Sequence, residues 1–161
     1  MHFTTILTTA FLAIISGALA APLAQSGSGS SSSNYFPSVT EIGWCLIPWN
    51  VDDCVKAQGH ADIAAKAAQN LFPANTLHNG KGDAFRHCYW NARMTIDLGA
   101  DNAKSIGDNH EDGSDGPEEE KRMDRANNAS GRNIGASAGS YASAQEACRV
   151  AAVNGKLVTL K

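Results

Sequence analysis

The chain has 161 residues, a formal net charge of -3 and a hydrophobic content of 43%. This length fits one ordinary domain rather than two, and the hydrophobic content argues against a wholly disordered chain. The slight excess of acidic over basic side chains, 16 against 13, argues against a general nucleic-acid binder, so no nucleic-acid partner is expected.

The first 34 residues are expected to lie outside the folded domain. Residues 1–20 contain a short apolar run and end in small residues, which is typical of a signal peptide cleaved after Ala20; the alternative is a short membrane anchor. Residues 21–34 are rich in Ser and Gly and predict a flexible tether. We therefore expect a secreted, extracellular monomer with a single domain over residues 35–161 and no transmembrane segment in the mature chain.

The first two predicted helices follow clear start and stop signals. Ser38 and Glu41 form a capping-box pattern that predicts a short helix, and Pro48 closes it. A second start at residues 50–53 leads into a long alanine-rich helix that is predicted to end before Pro73.

The next three helices are marked by their apolar spacing and by Pro and Gly. Asp83 begins the most amphipathic stretch, which is predicted to run to Gly99. A short helix fits Asp101 to Glu111. Pro117 and the three glutamates after it predict a further helix that stops at Gly131.

The end of the chain predicts one last helix. Its start is a second capping-box pattern, Ser143 to Glu146, and its end is Asn154. Residues 157–160 look strand-like, but one short segment cannot form a sheet. The predicted fold class is all-α, a compact bundle of five or six helices pinned by two disulfides.

Four cysteines in a secreted chain predict two disulfides, and four cysteines allow three pairings. They are Cys45, Cys54, Cys88 and Cys148. The spacing favours Cys45 with Cys54, across the Pro48 bend, and Cys88 with Cys148. No C-x-x-C pair is present, so metal binding by these cysteines is not expected.

The central predicted helix carries three polar residues at intervals of four, Asp83, His87 and Asn91. They share one helix face, and a carboxylate one turn from an imidazole can set its tautomer, raise its basicity or share a metal ion with it. The simpler interpretation is a helix cap and a histidine that is hydrogen-bonded in the core.

Two further segments concentrate polar groups. His110 and Glu111 are adjacent but do not form the H-E-x-x-H zinc motif. Asp124 and Asn128 lie one turn apart on a helix with two consecutive asparagines, Asn127 and Asn128, which is unusual because Asn is a poor helix former. These positions therefore favour a polar network inside the protein.

Taken together, the segments NGKGDAFRHCYWNARM (79–94), NHE (109–111) and MDRANNASGR (123–132) resemble an uncharacterised domain family of secreted bacterial and fungal proteins. The family motif runs NGxxDAFRHxxWN, then Ala-His-Glu, then MDxxNNxxGR; this chain departs from it at Asn109, where the family more often has Ala. The resemblance implies a compact helical domain with a polar centre and names no reaction. The chain also resembles, more vaguely, the small secreted phospholipases A2. It lacks their His-Asp pair, and no Gly-rich calcium loop is evident.

The first functional hypothesis is a secreted hydrolase. The predicted catalytic residues are His87, Asp83, His110 and Glu111. A divalent metal such as zinc, manganese or calcium would offset the cost of burying these charges. Its predicted ligands are Asp83, His87, His110, Glu111, Asp124 and Asn128. The predicted substrate-binding residues are Arg86, Asn91 and Arg132, of which the two arginines suit an anionic group.

The second hypothesis is a non-enzymatic secreted effector or toxin-like binding protein. The same polar set would then be a structural network that holds the helices in register. Burial separates the two hypotheses, because an enzyme needs an open cleft, whereas a structural network is closed and fully hydrogen-bonded. The sequence leaves the substrate or partner unidentified.

Overall fold

The computed structural model describes residues 39–161; the predicted signal peptide, the tether and Ser38 lie outside the described residues. This part of the chain forms six helices and contains no strand, which confirms the all-α fold class. The helices are α1 (Val39–Cys45), α2 (Val51–Leu71), α3 (Lys81–Leu98), α4 (Ala100–Asp112), α5 (Glu118–Ser137) and α6 (Tyr141–Val153). A 3₁₀ turn, Ala74–Thr76, connects α2 to α3.

Helix α3 is the centre of the bundle and packs against α2, α4, α5 and α6. Several of its apolar side chains, among them Phe85 and Met94, are fully buried. Trp90 also joins α3 to α2, because its indole Nε1 donates a hydrogen bond to the carbonyl oxygen of Ala57 over 3.0 Å. The polar residues on the same helix are therefore held in place by packing on several sides.

Both predicted disulfides are confirmed. Cys45 and Cys54 join α1 to α2 with a Cα–Cα distance of 5.8 Å, and Cys88 and Cys148 join α3 to α6 with a Cα–Cα distance of 5.9 Å. The second bridge closes the longer loop, so the chain-entropy model gives it the larger contribution, about 4 kcal/mol against about 2.5 kcal/mol for the first.

The predicted end of α5 at Gly131 is wrong, since the helix continues to Ser137. A Cβ atom on Gly131 would lie 2.1 Å from the carbonyl oxygen of Cys88, and one on Gly135 would lie 2.5 Å from that of Ala92. These glycines allow α5 to approach α3 closely, and they do not end the helix. Gly131 resembles a helix stop signal in the sequence, but in the structure it allows close packing of two helices.

The predicted start of α6 is also corrected, whereas the prediction that the strand-like residues 157–160 form no sheet is confirmed. Helix α6 begins at Tyr141, because Ser140 and Ser143 exchange capping hydrogen bonds, whereas Glu146 accepts from Arg149 instead of capping a helix. Residues 157–160 form no strand. The side-chain amide of Asn127 both donates to and accepts from the backbone of Val158, at 2.9 Å each, and so takes the place of a neighbouring strand.

Candidate functional site

The close crossing of α3 and α5 positions the polar residues of both helices. Asp124 and Asn128 precede Gly131 by seven and three residues, so they share its face of α5 and point towards α3. Asp83, His87 and Asn91 share one face of α3, as the spacing predicted.

Asp83, His87 and Asp124 form a cluster in which one potential ligand atom of each residue lies within 4.8 Å of the others. His87 Nε2 is 3.6 Å from Asp83 Oδ1 and 3.3 Å from Asp124 Oδ1. One imidazole nitrogen and two carboxylate oxygens are donors that suit zinc or manganese. The three residues, which we call the triad, are therefore a candidate metal site.

The hydrogen bonds around His87 fix its tautomer. Arg86 Nη2 lies 2.8 Å from His87 Nε2, and a guanidinium can only donate, so Nε2 carries the lone pair and Nδ1 carries the proton. Nδ1 faces Glu111 Oε1 at 3.6 Å, which is too long for a hydrogen bond. The lone pair of His87 therefore points to the side where both aspartates of the triad lie.

Two buried polar atoms in the described part of the chain have no hydrogen-bond partner, and both belong to the triad. They are His87 Nδ1 and Asp124 Oδ1. Leaving a buried polar atom without a partner costs about 1–3 kcal/mol, and the cost is greater for a charged group. The triad is thus the place where the chain's own hydrogen bonding is incomplete.

Burial displaces the pKa values of this cluster in opposite directions. Burial, reinforced by Arg86, lowers the pKa of His87 to about 3. Burial, reinforced by the charges of Glu111 and Asp83, raises the pKa of Asp124 to about 8. Burial also raises the pKa of Glu111, whereas for Asp83 the effect of burial is outweighed by Arg86 and His87, and the pKa falls. At neutral pH the imidazole is therefore neutral, and Asp124 is largely protonated.

A chain of side-chain hydrogen bonds lies beside the triad along the α3–α5 crossing. Asn128 Nδ2 donates to Glu111 Oε1 over 3.0 Å, and Asn91 Nδ2 donates to Asn128 Oδ1 over 2.7 Å. Arg132 Nη1 then donates to Asn91 Oδ1 over 3.2 Å. The structure thus joins four of the predicted site residues in one network, with Glu111 at the end beside the triad and Arg132 at the other end.

His110 and Glu111 are separated although they are adjacent in sequence. Glu111 is buried and faces α3, whereas His110 Nδ1 lies 3.1 Å from Glu41 Oε2 on α1, and its ring packs edge-on against Trp90. Successive residues on a helix point about 100° apart, so the two side chains are directed to different partners. The geometry therefore places Glu111 beside the triad and His110 with Glu41.

Exposure identifies the side of the site that meets solvent. Asp83, His87 and Glu111 are buried, but the side chain of Asp124 is 15% exposed and that of Arg86 is 38% exposed. The predicted site is therefore a closed network with one accessible edge, formed by Arg86 and Asp124.

The sequence predicts a turn at residues 79–82 but no role at the site for Asn79, although Asn79 belongs to the family motif. Its backbone N–H donates to Asp83 Oδ2 over 2.6 Å, and its side chain donates to Glu120 Oε1 over 2.5 Å. Its carbonyl oxygen accepts from the N–H of Leu160 over 2.8 Å. Its φ of 62°, a left-handed conformation that Asn tolerates, was signalled by the Asn-Gly turn pattern.

A second polar cluster was not predicted at all. It consists of His60, Arg93, Asp97 and Tyr141 on helices α2, α3 and α6. Arg93 and Asp97 are four residues apart on α3, and this spacing could have predicted an ion pair. Their partner His60 lies in an alanine-rich helix with no motif around it, so its role could not be predicted.

No helix among the described residues is long and apolar enough to cross a membrane. No solved structure matches the chain significantly. A protein family described as a domain of unknown function (DUF6973) matches residues 44–156. The matched range includes the whole triad and its network, which agrees with the expected resemblance to an uncharacterised domain family. Because the match covers more than half of the sequence, the chain belongs to this DUF6973 family of domains of unknown function.

Proposed function

We propose that Asp83, His87 and Asp124 bind a divalent cation and that the protein is a metal-assisted hydrolase. The observation that carries the proposal is the unpartnered Asp124 Oδ1, which is buried and lies 3.3 Å from the lone-pair nitrogen of His87. A cation there would give Asp124 Oδ1 a partner, and it would take the place of Arg86 at His87 Nε2. Zinc and manganese are the expected metals, because the donors are one imidazole nitrogen and two carboxylate oxygens.

The surroundings of His87 support metal binding. A histidine that binds a metal commonly directs its second ring nitrogen at a carboxylate, which orients the ring and increases its basicity. Glu111 lies on that side of the His87 ring and is itself held by Asn128. Three carboxyl groups, those of Asp83, Glu111 and Asp124, surround the imidazole, and a divalent cation would balance their charge once Asp124 has lost its proton.

The accessible edge supports the hydrolytic part of the proposal. A divalent cation activates a bound water molecule and polarises a carbonyl or phosphoryl oxygen. Arg86 and Asp124 lie at the solvent-facing edge of the cluster. A guanidinium there suits an ester substrate that carries an anionic group, such as a phosphate or a carboxylate. We further propose that the protein is secreted, since two disulfides are typical of an oxidising compartment.

The alternative function, a non-enzymatic secreted effector or binding protein, is favoured by one specific observation. Asn91, Glu111 and Asn128 are almost completely buried and are hydrogen-bonded to one another. A closed network of this kind fixes the register of packed helices without any chemistry. The polar residues would then serve the fold alone.

Metal titration distinguishes the two functions. Asp124→Asn keeps the size of a largely protonated carboxyl group, so the fold is retained, but it removes a ligand that becomes charged when the metal displaces its proton. We expect the wild-type protein, with its disulfides formed, to bind one equivalent of Mn²⁺ or Zn²⁺ by calorimetry. Asp124→Asn should bind at least ten times more weakly. Asp112→Asn is the matched control, because Asp112 is exposed and pairs with Arg125 outside the triad.

Hydrolysis is measured on the same proteins with a chromogenic phosphodiester and a chromogenic carboxylic ester. Metal-dependent hydrolysis by the wild type and by Asp112→Asn, absent from Asp124→Asn, supports the hydrolase. Metal binding without turnover of either ester contradicts the hydrolytic part of the proposal. A wild-type protein that binds no metal contradicts the metal site and supports the structural network.

A further inference from the structure

The guanidinium of Arg86 already occupies the side of the triad that a cation would use. Arg86 Nη2 lies 2.5 Å from Asp83 Oδ1 and 2.8 Å from His87 Nε2, and Arg86 Nε lies 3.1 Å from the same aspartate oxygen. Asp83 Oδ1 and His87 Nε2 are the atoms of these two residues that face each other within the triad. The other oxygen of Asp83 accepts from the backbone of Asn79.

We propose that Arg86 is a built-in cation that competes with the divalent metal, so that metal binding requires its guanidinium to leave the triad. This inference rests on the proposed metal site. The lone pair of His87 Nε2 can either accept a hydrogen bond from Arg86 or bind a metal ion, but it cannot do both. A metal ion about 2.0–2.3 Å from its ligands would also lie within a few ångströms of the guanidinium, where two positive charges repel.

The position of Arg86 allows this exchange. Its neighbours on α3, Phe85 and His87, are buried and fixed, whereas the side chain of Arg86 is 38% exposed. Its hydrogen bonds to described residues go to Asp83 and His87. A long, flexible side chain at the surface can move into water without disturbing the core.

The exchange gives Arg86 a different role in each state. Without a metal, Arg86 neutralises Asp83 and holds His87 in the tautomer that a metal requires. With a metal bound, the released guanidinium lies beside the cation at the accessible edge, where it can bind an anionic group of a substrate. The site is thus preorganised by a group that must leave before the metal enters.

The test compares the Mn²⁺ and Zn²⁺ affinities of wild type, Arg86→Gln and Arg86→Lys by calorimetry. Gln removes the competing charge, so Arg86→Gln should bind at least about tenfold more tightly, because a charge-assisted bidentate pair no longer has to be broken. Lys keeps the charge but not the planar fork, so Arg86→Lys should lie between the two. The double variant Arg86→Gln/Asp124→Asn is the control, and its binding should be lost.

A second measurement uses the wild-type protein alone and stays informative if a variant misfolds. Phenylglyoxal modifies accessible arginine side chains, and peptide mass spectrometry reports the rate at each position. Saturating Mn²⁺ should raise the modification rate of Arg86 several-fold and leave that of the exposed Arg122 unchanged. An unchanged or lower rate at Arg86, in a protein that binds the metal, would overturn the inference.

The outcomes separate this inference from the proposed function. If the wild type binds metal through Asp124 and Arg86→Gln binds with equal or weaker affinity, the competition is wrong and the metal site stands. If only Arg86→Gln binds metal, the competition is supported, and the proposed function fails for the natural sequence. If neither protein binds metal, both proposals are overturned.

Discussion

His60 and His87 lie in two polar clusters of one helical bundle, and each cluster combines a histidine with an arginine and an aspartate. In the first cluster, Arg93 Nε donates to His60 Nδ1 over 3.0 Å, and His60 Nε2 lies 2.8 Å from Asp97 Oδ2. Both ring nitrogens of His60 are therefore bonded. In the second cluster, Arg86 donates to His87 Nε2, but His87 Nδ1 has no hydrogen-bond partner.

The difference lies in whether the chain satisfies its own polar atoms. Tyr141 completes the His60 cluster, because its hydroxyl donates to Asp97 and its ring lies 3.9 Å from the guanidinium carbon of Arg93. The His87 cluster keeps an unpartnered oxygen on Asp124. A complete cluster serves the fold, whereas an incomplete one leaves a place for a ligand from outside the chain.

The largest expected effect comes from separating α5 from α3, which would disrupt the His87 cluster and spare the His60 cluster. In Gly131→Ala the new Cβ would lie 2.1 Å from a backbone oxygen that cannot move easily. We expect the free energy of unfolding to fall by about 3 kcal/mol or more, measured by urea denaturation. Gly59→Ala on α2 is the control, because a Cβ there meets no atom within 4 Å and should stabilise the helix by about 0.5–1 kcal/mol. Equal effects of the two substitutions would contradict the close crossing.

The second prediction assigns metal-dependent stability to one cluster only. Mn²⁺ at about 100 times its dissociation constant should raise the free energy of unfolding of the wild type by about 2.7 kcal/mol. Arg93→Met, in the His60 cluster, should keep this gain, and Asp124→Asn should lose it. The measurement is thermal unfolding with and without metal. If the gain disappears in Arg93→Met and persists in Asp124→Asn, the metal binds at the His60 cluster, and the proposed site at the triad is contradicted.

The third prediction concerns the cost of opening the complete cluster. Arg93→Met leaves His60 Nδ1 and the hydroxyl of Tyr89 without their donor, and both residues are buried. The free energy of unfolding should fall by about 2 kcal/mol in urea denaturation without metal. Arg149→Met is the matched control, because Arg149 pairs with Glu146 at the surface and its loss should cost clearly less.

The smallest predicted effect is a pH dependence of stability. Burial, reinforced by Arg93, lowers the pKa of His60 although Asp97 opposes the shift. The unfolded chain therefore takes up a proton near pH 6.5 while the folded chain does not, so this contribution to stability is present above pH 6.5 and is lost as the pH falls below it. The groups that face His60 are Arg93 and Asp97 on α3, Tyr141 on α6 and Lys56 on its own helix.

His60→Gln should therefore lose less stability than the wild type between pH 7 and pH 5. The difference cannot exceed about 1.4 kcal/mol per pH unit, the limit for one proton. Urea denaturation at several pH values measures it, and His87 contributes equally in both proteins. Parallel pH profiles would mean that His60 is not held in its neutral form.

Local signals in the sequence predicted most of the fold. Proline positions, glutamates at a helix start and apolar spacing located the helices, and the spacing of cysteines located both disulfides. The end of α5 and the start of α6 were missed, because Gly131 lies at a close contact between two helices and Ser140, instead of Ser143, is the cap. Contacts between elements distant in sequence override such local preferences.

The triad was within reach of the sequence, because Asp83 and His87 share one helix face and Asp124 shares another with Asn128. The separation of His110 from Glu111 was not, since it depends on Glu41 of α1 packing against α4. The placement of Arg86 between Asp83 and His87 was also out of reach, because a spacing of three or four residues gives proximity but no side-chain orientation.

The most direct test of the metal site is a crystal structure of the wild-type protein soaked in Mn²⁺ or Zn²⁺, with anomalous scattering recorded for the metal. We expect an anomalous peak about 2.0–2.3 Å from His87 Nε2 and from a carboxylate oxygen of both Asp83 and Asp124. The Arg86 guanidinium should be displaced towards solvent. A well-ordered triad without a peak, in crystals that hold the same metal at surface carboxylates, would contradict the metal site.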